Sequence, residues 1–307
     1  PSYFPVSRVV ARCGVAAPPL VGGGGVANFQ TFEPVTFQRG MPSWQNLPMS
    51  SSDDIVEIFR WAATDRECGA GEIEQALIGG LLEHGAALEP ESLYRGARLL
   101  AAGQPTMANL QSLASAAEGA DPVVFVEWLR RRLEVLSELP QRLAANGWPY
   151  LEDVRMVATV SRSTAVAAVV EGAWNKGWTG SAVVFDGSQS GRGPNQASRL
   201  SRHGTAYSQP DAAMPEWLDG EGTIVVVGAD GVGPEAFINS VGTRLLLELA
   251  RNRGVERILA ADSGKDVTRQ TFDEMVEVMP TYRDPAGRSW PIFEVIPLDL
   301  VSERISE

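Results

Sequence analysis

The stretch VVVGADGVGPEAFINSVGTRLLLELARNRGVERILAADSGK, residues 225–265, carries the decisive pattern. It opens inside an apolar β-branched run and breaks at Gly228-Ala229-Asp230-Gly231. A leucine-bearing segment follows, and then a second apolar run at residues 257–261. Short apolar runs without alternation are strands buried on both faces, and a helix joining two of them is the unit of a parallel sheet. The pattern repeats outward. Residues 155–160 and 182–186 predict further strands beside those at 223–228 and 257–261, and residues 164–174, 195–203 and 239–252 predict the helices between them. Short segments at 205–208 and 291–296 predict two more strands of the same sheet.

Upstream the periodicity is helical. Ser52-Asp53-Asp54 supply a cap and acidic first turn for residues 55–63, and Pro90-Glu91 open a helix that closes at Gly103. Residues 71–82, 110–117 and 123–143 predict three more helices, with Trp61 and Trp128 as core or interface residues. Residues 1–50 show neither period; the tract Gly22-Gly23-Gly24-Gly25 is not followed by Gly-Lys-Ser/Thr and reads as a connector. The expected fold class is α/β: an irregular arm (1–50), an N-terminal helical domain (51–150) and a Rossmann-like parallel-sheet domain (151–307).

Composition narrows the function classes. The 307 residues carry 26 Lys and Arg against 38 Asp and Glu, a net charge of -12, the wrong sign for coating nucleic acid or anionic lipid. Two cysteines, Cys13 and Cys68, and two histidines, His84 and His203, give no metal-ligand spacing. Neither a metal nor a cofactor is expected. No apolar run is long enough to span a bilayer and no secretory pattern opens the chain, so the expectation is a cytoplasmic protein that associates with itself and contacts neither membrane nor nucleic acid.

The polar residues that carry chemistry fall after the strands, where an open parallel sheet collects its ligands. They are Ser161-Arg162-Ser163-Thr164, Ser188-Gln189-Ser190-Gly191-Arg192, Asp230 and Ser263-Gly264-Lys265. Hydroxyls and amides entering a helix N-terminus make a phosphate cradle, to which Arg162, Arg192 and Lys265 add charge. For each loop the plainer alternative is that Ser163 caps its helix and the glycines shape a turn. Asp230, between glycines after an apolar strand, has two readings: an acid/base with a raised pKa, or a carboxylate that holds its turn. Gly228-Ala229-Asp230-Gly231-Val232-Gly233 is not a dinucleotide fingerprint, and Ser263-Gly264-Lys265-Asp266 is not a nucleotide loop. No Ser-His-Asp constellation is evident.

On these residues the chain resembles the superfamily that joins the alpha, beta and delta subunits of eukaryotic translation initiation factor 2B to methylthioribose-1-phosphate isomerase and ribose-1,5-bisphosphate isomerase. Residues 225–265 are the strongest match. Gly69-Ala70-Gly71-Glu72-Ile73, Gln104-Pro105-Thr106, Thr159-x-Ser161-x-Ser163 and Asp211-Ala212-Ala213 follow in family order, over residues 55–270. The resemblance implies a helical domain on a Rossmann-like domain, commonly dimeric, with a sugar-phosphate pocket between. It places Ser161 at the isomerases' catalytic cysteine and Asp230 at their catalytic aspartate. It adds Gln104, Thr106, Gln189, Asn239 and Ser240 to Ser161, Arg162, Ser163, Ser188, Arg192 and Lys265 as ligand-binding positions.

Departures from the family pattern weigh against standard chemistry. Gln104 stands where the family has an arginine, Ser161 where isomerases have cysteine, Gln189 where an arginine follows the serine, and Ser240 where the family has lysine. A serine hydroxyl does not titrate near neutrality, so Ser161 needs a separate base to move a proton between carbons. The expected function is binding of a phosphorylated pentose or nucleotide without standard isomerase chemistry. The alternative is an aldose-ketose isomerase, an intramolecular oxidoreductase, using Asp230; a third reading is a diverged enzyme whose ligand carries less phosphate.

Overall fold

The computed structural model describes residues 52–187, 192–218, 222–283 and 286–307. The arm expected over residues 1–50 lies outside them, as do Ser188, Gln189, Ser190 and Gly191. The described chain opens with five helices: α1 (Ser52–Thr64), α2 (Ala70–Glu83), α3 (Pro90–Gly103), α4 (Ala108–Ala117) and α5 (Pro122–Leu151). Local chemistry sets their starts. Pro90 and Pro122 occupy first turns, where a missing N–H costs nothing, and the Asp121 side chain accepts the amides of Val123 and Val124. Ile55, Phe59, Ile73, Leu77, Leu81, Leu93, Leu100 and Leu110 recur at helical spacing and are all fully buried in one cluster.

The predicted fifth helix, residues 123–143, is longer than expected: α5 continues through Pro140 and Pro149 to Leu151. Both prolines lie on its exposed side, while Leu143, Gly147 and Leu151 bury the opposite one. That packing outweighs the lost backbone bonds. The extension makes α5 a shared spine, because Leu129 and Leu136 belong to the helical core whereas Leu143 and Leu151 pack beneath the sheet.

The second half runs β1 (Met156–Val160), α6 (Thr164–Asn175), β2 (Ser181–Phe185), α7 (Arg192–Leu200), β3 (Thr205–Gln209), α8 (Met214–Trp217), β4 (Thr223–Val227), β5 (Gly231–Val232), β6 (Ala236–Ser240), α9 (Thr243–Asn252), β7 (Glu256–Ala260), α10 (Arg269–Glu277), β8 (Thr281–Arg283), β9 (Ser289–Pro291), β10 (Phe293–Pro297) and β11 (Glu303–Ile305). Six strands form one parallel sheet in the order β11-β7-β4-β1-β2-β3. This is the Rossmann order, and it reverses direction between β1 and β4. Alternate residues cover opposite faces. Val157, Val184, Ile224 and Val226 pack with α6, while Ala158, Val183, Phe185, Val225 and Val227 pack with Leu246 and Leu247 of α9. Burial on both faces is why these strands are continuously apolar.

Two expectations about the sheet are corrected. Asn239 and Ser240, expected to open a helix, end strand β6, and α9 starts only at Thr243 after Gly242. The segment expected at 291–296 does not extend the parallel sheet. It forms β10, antiparallel to β6, in a separate three-stranded sheet β10-β6-β5. That sheet bridges the halves: Ile238 and Phe293 join Phe272 and Met275 in the core of the helical bundle.

Candidate functional site

The crevice at the switch point between β1 and β4 is lined by Arg162, Ser163 and Thr164 after β1, by Ala229 and Asp230 after β4, by Asn239 of β6 and by Asp262 and Lys265 after β7. Ala70 and Gly71 of α2 line it from the helical side, and the cavity measures about 20 Å³. That space holds roughly one water molecule. Gly71 has no room for a side chain, because a Cβ there would lie 2.6 Å from Thr164 Oγ1. The helical half therefore sits directly on the first turn of α6.

Ser161 has φ +62°, the one non-glycine among the described residues in the left-handed region. Its hydroxyl accepts a hydrogen bond from Ser240 Oγ at 3.1 Å, both side chains being buried. The strained backbone turns the chain sharply off β1, as such conformations do beside functional sites. Ser163 caps α6, its Oγ accepting from the Val166 amide at 3.3 Å. Gly228 is required here, since a side chain would collide with the Ser163 hydroxyl.

Asp230 is buried, and its backbone is fully used: its N–H donates to Ile238 O and its carbonyl accepts from the Ala108 amide, both at 2.8 Å. Among the described residues its carboxylate makes no hydrogen bond. Burial pushes its pKa above the ordinary carboxylate range, with the Lys265 and Arg192 charges pulling in the other direction. Lys265, also buried, donates from Nζ to Asn109 Oδ1 at 2.8 Å. Asn239 Nδ2 donates to Thr243 Oγ1 at 3.1 Å.

The arginines divide into paired and unpaired. Arg162 is tied to Glu72 of α2, at 2.8 Å, and Arg199 reaches the same carboxylate at 3.3 Å while binding Glu171 at 2.8 Å. Glu72 is 4 % exposed, so it is a buried charge that these cations neutralise, and Arg162 reaches it from the lining of the cavity. Arg192 differs. It is 6 % exposed, its Nε donates to the Arg66 carbonyl at 3.1 Å, and no carboxylate among the described residues pairs with it. Partial burial and then the Arg192 charge lower the Arg66 pKa, against Asp65.

Other positions fall as follows. Gln104 Nε2 donates to the Ala62 and Asp65 carbonyls, both at 2.8 Å, and joins the ends of α1 and α3. Thr106 is buried beside it in sequence. Ser188 and Gln189 lie outside the described residues. Cys68, beside the Gly69 cap of α2, is pushed up to about 12 by burial, Asp65 and Glu72, with Arg162 opposing, so its thiol stays protonated. Asn109, Glu74, Arg132, Arg199 and Arg66 carried no signal in local pattern, because each acts through a partner distant in sequence.

With this arrangement in place, the relatives fall into line. A family model of the initiation factor 2 subunit family matches residues 83–286, about two thirds of the chain. The chain belongs to that family. Among solved structures it is similar to the translation initiation factor eIF-2B of Pyrococcus horikoshii OT3, with TM-score 0.72 and 21 % identity over 82 % of this chain and 94 % of that one. It is also similar to 5-methylthioribose 1-phosphate isomerase of Pyrococcus horikoshii OT3, with TM-score 0.59 and 17 % identity over 82 % of each chain. A third likeness is to a chain of the tetrameric eIF2B-beta2-delta2 complex from C. thermophilum, with TM-score 0.62 and 15 % identity over 82 % of this chain and 90 % of that one. These likenesses establish the fold that the family shares. Comparison with curated proteins gives no significant match.

Proposed function

We propose that this family member binds a phosphorylated pentose or nucleotide in the crevice between β1 and β4, without the aldose-ketose chemistry of the family's isomerases. The observation that carries the proposal is the Ser161–Ser240 pair. At the position corresponding to the isomerases' cysteine a hydroxyl meets another hydroxyl at 3.1 Å, and among the described residues no titratable side chain hydrogen-bonds to either. Neither group exchanges a proton near neutrality, so the pair can hold a sugar hydroxyl but cannot shuttle hydrogen between adjacent carbons.

An anionic ligand is supported by Arg192, a buried cation that no carboxylate among the described residues pairs with, and by the α6 N-terminus opening on the cavity at Ser163 and Thr164. In this reading Arg192 and Lys265 take the phosphate and Asn239, Ser161 and Ser240 the sugar. The 20 Å³ cavity must then widen by withdrawal of α2 from the sheet edge. The isomerase reading keeps one observation in its favour: Asp230 is buried, with a raised pKa suited to acid/base work. It would act alone, without a thiol.

Incubation with methylthioribose-1-phosphate and with ribose-1,5-bisphosphate, followed by calorimetry and by NMR of the sugar, separates the two. Saturable binding with no ketose is the expected result. Ketose formation lost in Asp230→Asn would instead establish the isomerase. Self-association is part of the proposal. The edge strand β3 exposes Tyr207, whose ring lies tilted against that of Trp217 with centroids 5.5 Å apart, and sedimentation that gives the monomer mass at micromolar concentration would remove self-association from the proposal. Among the described residues no helix is long and apolar enough to cross a membrane; a cytoplasmic location belongs to the proposal.

A further inference from the structure

The helical half carries a second buried glutamate whose surroundings differ from those of Glu72. Glu74 is 1 % exposed and receives Arg132 Nε at 2.6 Å and Nη2 at 3.1 Å. Its Oε2 also accepts from Asn109 Nδ2 at 2.7 Å, and the same Nδ2 donates to the Ala70 carbonyl at 3.0 Å. Both amide hydrogens of Asn109 are thereby consumed by acceptors. The opposite rotamer would set an NH₂ group against the Lys265 ammonium and the amide oxygen against Glu74, two repulsive contacts in a buried place. So Oδ1 must face Lys265, and it accepts from Nζ at 2.8 Å across 156 residues of sequence.

We propose that Asn109 is a positioning residue, held by Glu74 and Arg132, that fixes the Lys265 ammonium on the wall of the cavity it shares with Asp230. The chain of contacts passes from α5 through α2 and α4 to the loop after β7, and every member except Arg132 is at least nine-tenths buried. A lysine on a four-carbon stem is otherwise free to swing. With its head pinned, its charge stands at one place against the Asp230 carboxylate and any ligand oxygen there. Because three of the four residues lie in the helical half, the position of that half on the sheet edge governs the field at Asp230. The ligand aspect rests on the proposed function; the placement of Lys265 does not.

The charged groups around Asp230 are Arg162 after β1, Arg192 of α7, and Asp262 and Lys265 after β7. The test follows the Asp230 carboxyl by carbon-13 NMR through a pH titration of the full chain without ligand. Asn109→Leu should move the Asp230 midpoint upward by about one unit, the scale expected when an opposite charge withdraws from a carboxylate. The milder Asn109→Ser should move it in the same direction by less, which keeps the test available if the leucine variant folds poorly. In a Lys265→Met background, Asn109→Ser should add no further shift. An unchanged midpoint in the folded Asn109 variants, or an equal shift that persists without Lys265, overturns the proposal. Ribose 5-phosphate titrated into the same samples separates the two ideas. Shifts as expected with no sugar-phosphate binding leave the positioning role and remove the ligand reading, whereas normal binding with an unmoved midpoint does the reverse.

Discussion

The two walls of the crevice are held in opposite ways. On the helical wall, Glu72 and Glu74 are buried and heavily bonded: two arginines serve the first, an arginine and an asparagine the second. On the sheet side, Ser161, next in sequence to the lining residue Arg162, sits in a left-handed backbone with one hydroxyl contact among the described residues, and Asp230 is buried with no hydrogen bond to its carboxylate among them. A satisfied network holds a surface in one shape; an underbonded, strained one leaves polar atoms free to meet a ligand. The helical wall is therefore the rigid one, and the sheet wall is the one that the proposed function assigns to the ligand.

Breaking the helical wall should cost most. Arg132→Met strands Glu74 in the core and should destabilise by about 3–5 kcal/mol, read from urea unfolding. Gly228→Ala, which drives a methyl group into the Ser163 hydroxyl at the head of α6, should cost about 1–3 kcal/mol in the same assay. Ser161→Val should cost roughly 1–2 kcal/mol, because a β-branched residue resists the left-handed region, whereas Ser161→Gly should stay within about 1 kcal/mol of the parent. If valine is tolerated as well as glycine, the sheet wall is not strained and the contrast fails.

The smallest effect carries a sign. The folded Asp230 pKa lies above its unfolded value, so the native state holds the proton more tightly, and stability falls as pH rises from the unfolded to the folded pKa. Above that window the buried charge is a standing penalty that Asp230→Asn removes. The variant should melt higher than the parent at pH 7, and the gain should vanish at low pH. A lower melting temperature at pH 7 would show that Lys265 and Arg192 outweigh burial.

How far the sequence foretold this depends on whether a feature is local. The strands at 156–160, 181–185 and 223–227 are readable because burial on both faces leaves an uninterrupted apolar run. Strand β6 is not: Ala236-Phe237-Ile238-Asn239-Ser240 mixes apolar and polar residues just before a true helix, and only its pairing with β10 on one side and β5 on the other makes it a strand. The pairing of β10 with β6 rather than with the parallel sheet has no local signature either. At the site, Ser161, Ser163, Asp230 and Lys265 could be picked out because they follow strands. Asn109, Glu74 and Arg132 could not, because their partners lie 35 to 156 residues away.

The proposed ligand site lies where β1 and β4 part beneath α2. Amide shift perturbation during titration with ribose 5-phosphate tests it most directly. Saturable shifts clustered at Ala70, Gly71, Ser161, Ser163, Asp230, Asn239 and Lys265 are expected. Saturable shifts confined to the surface groove that Ala97 and Ala101 of α3 line with Gln111 and Ala114 of α4, with those residues unmoved, would overturn it.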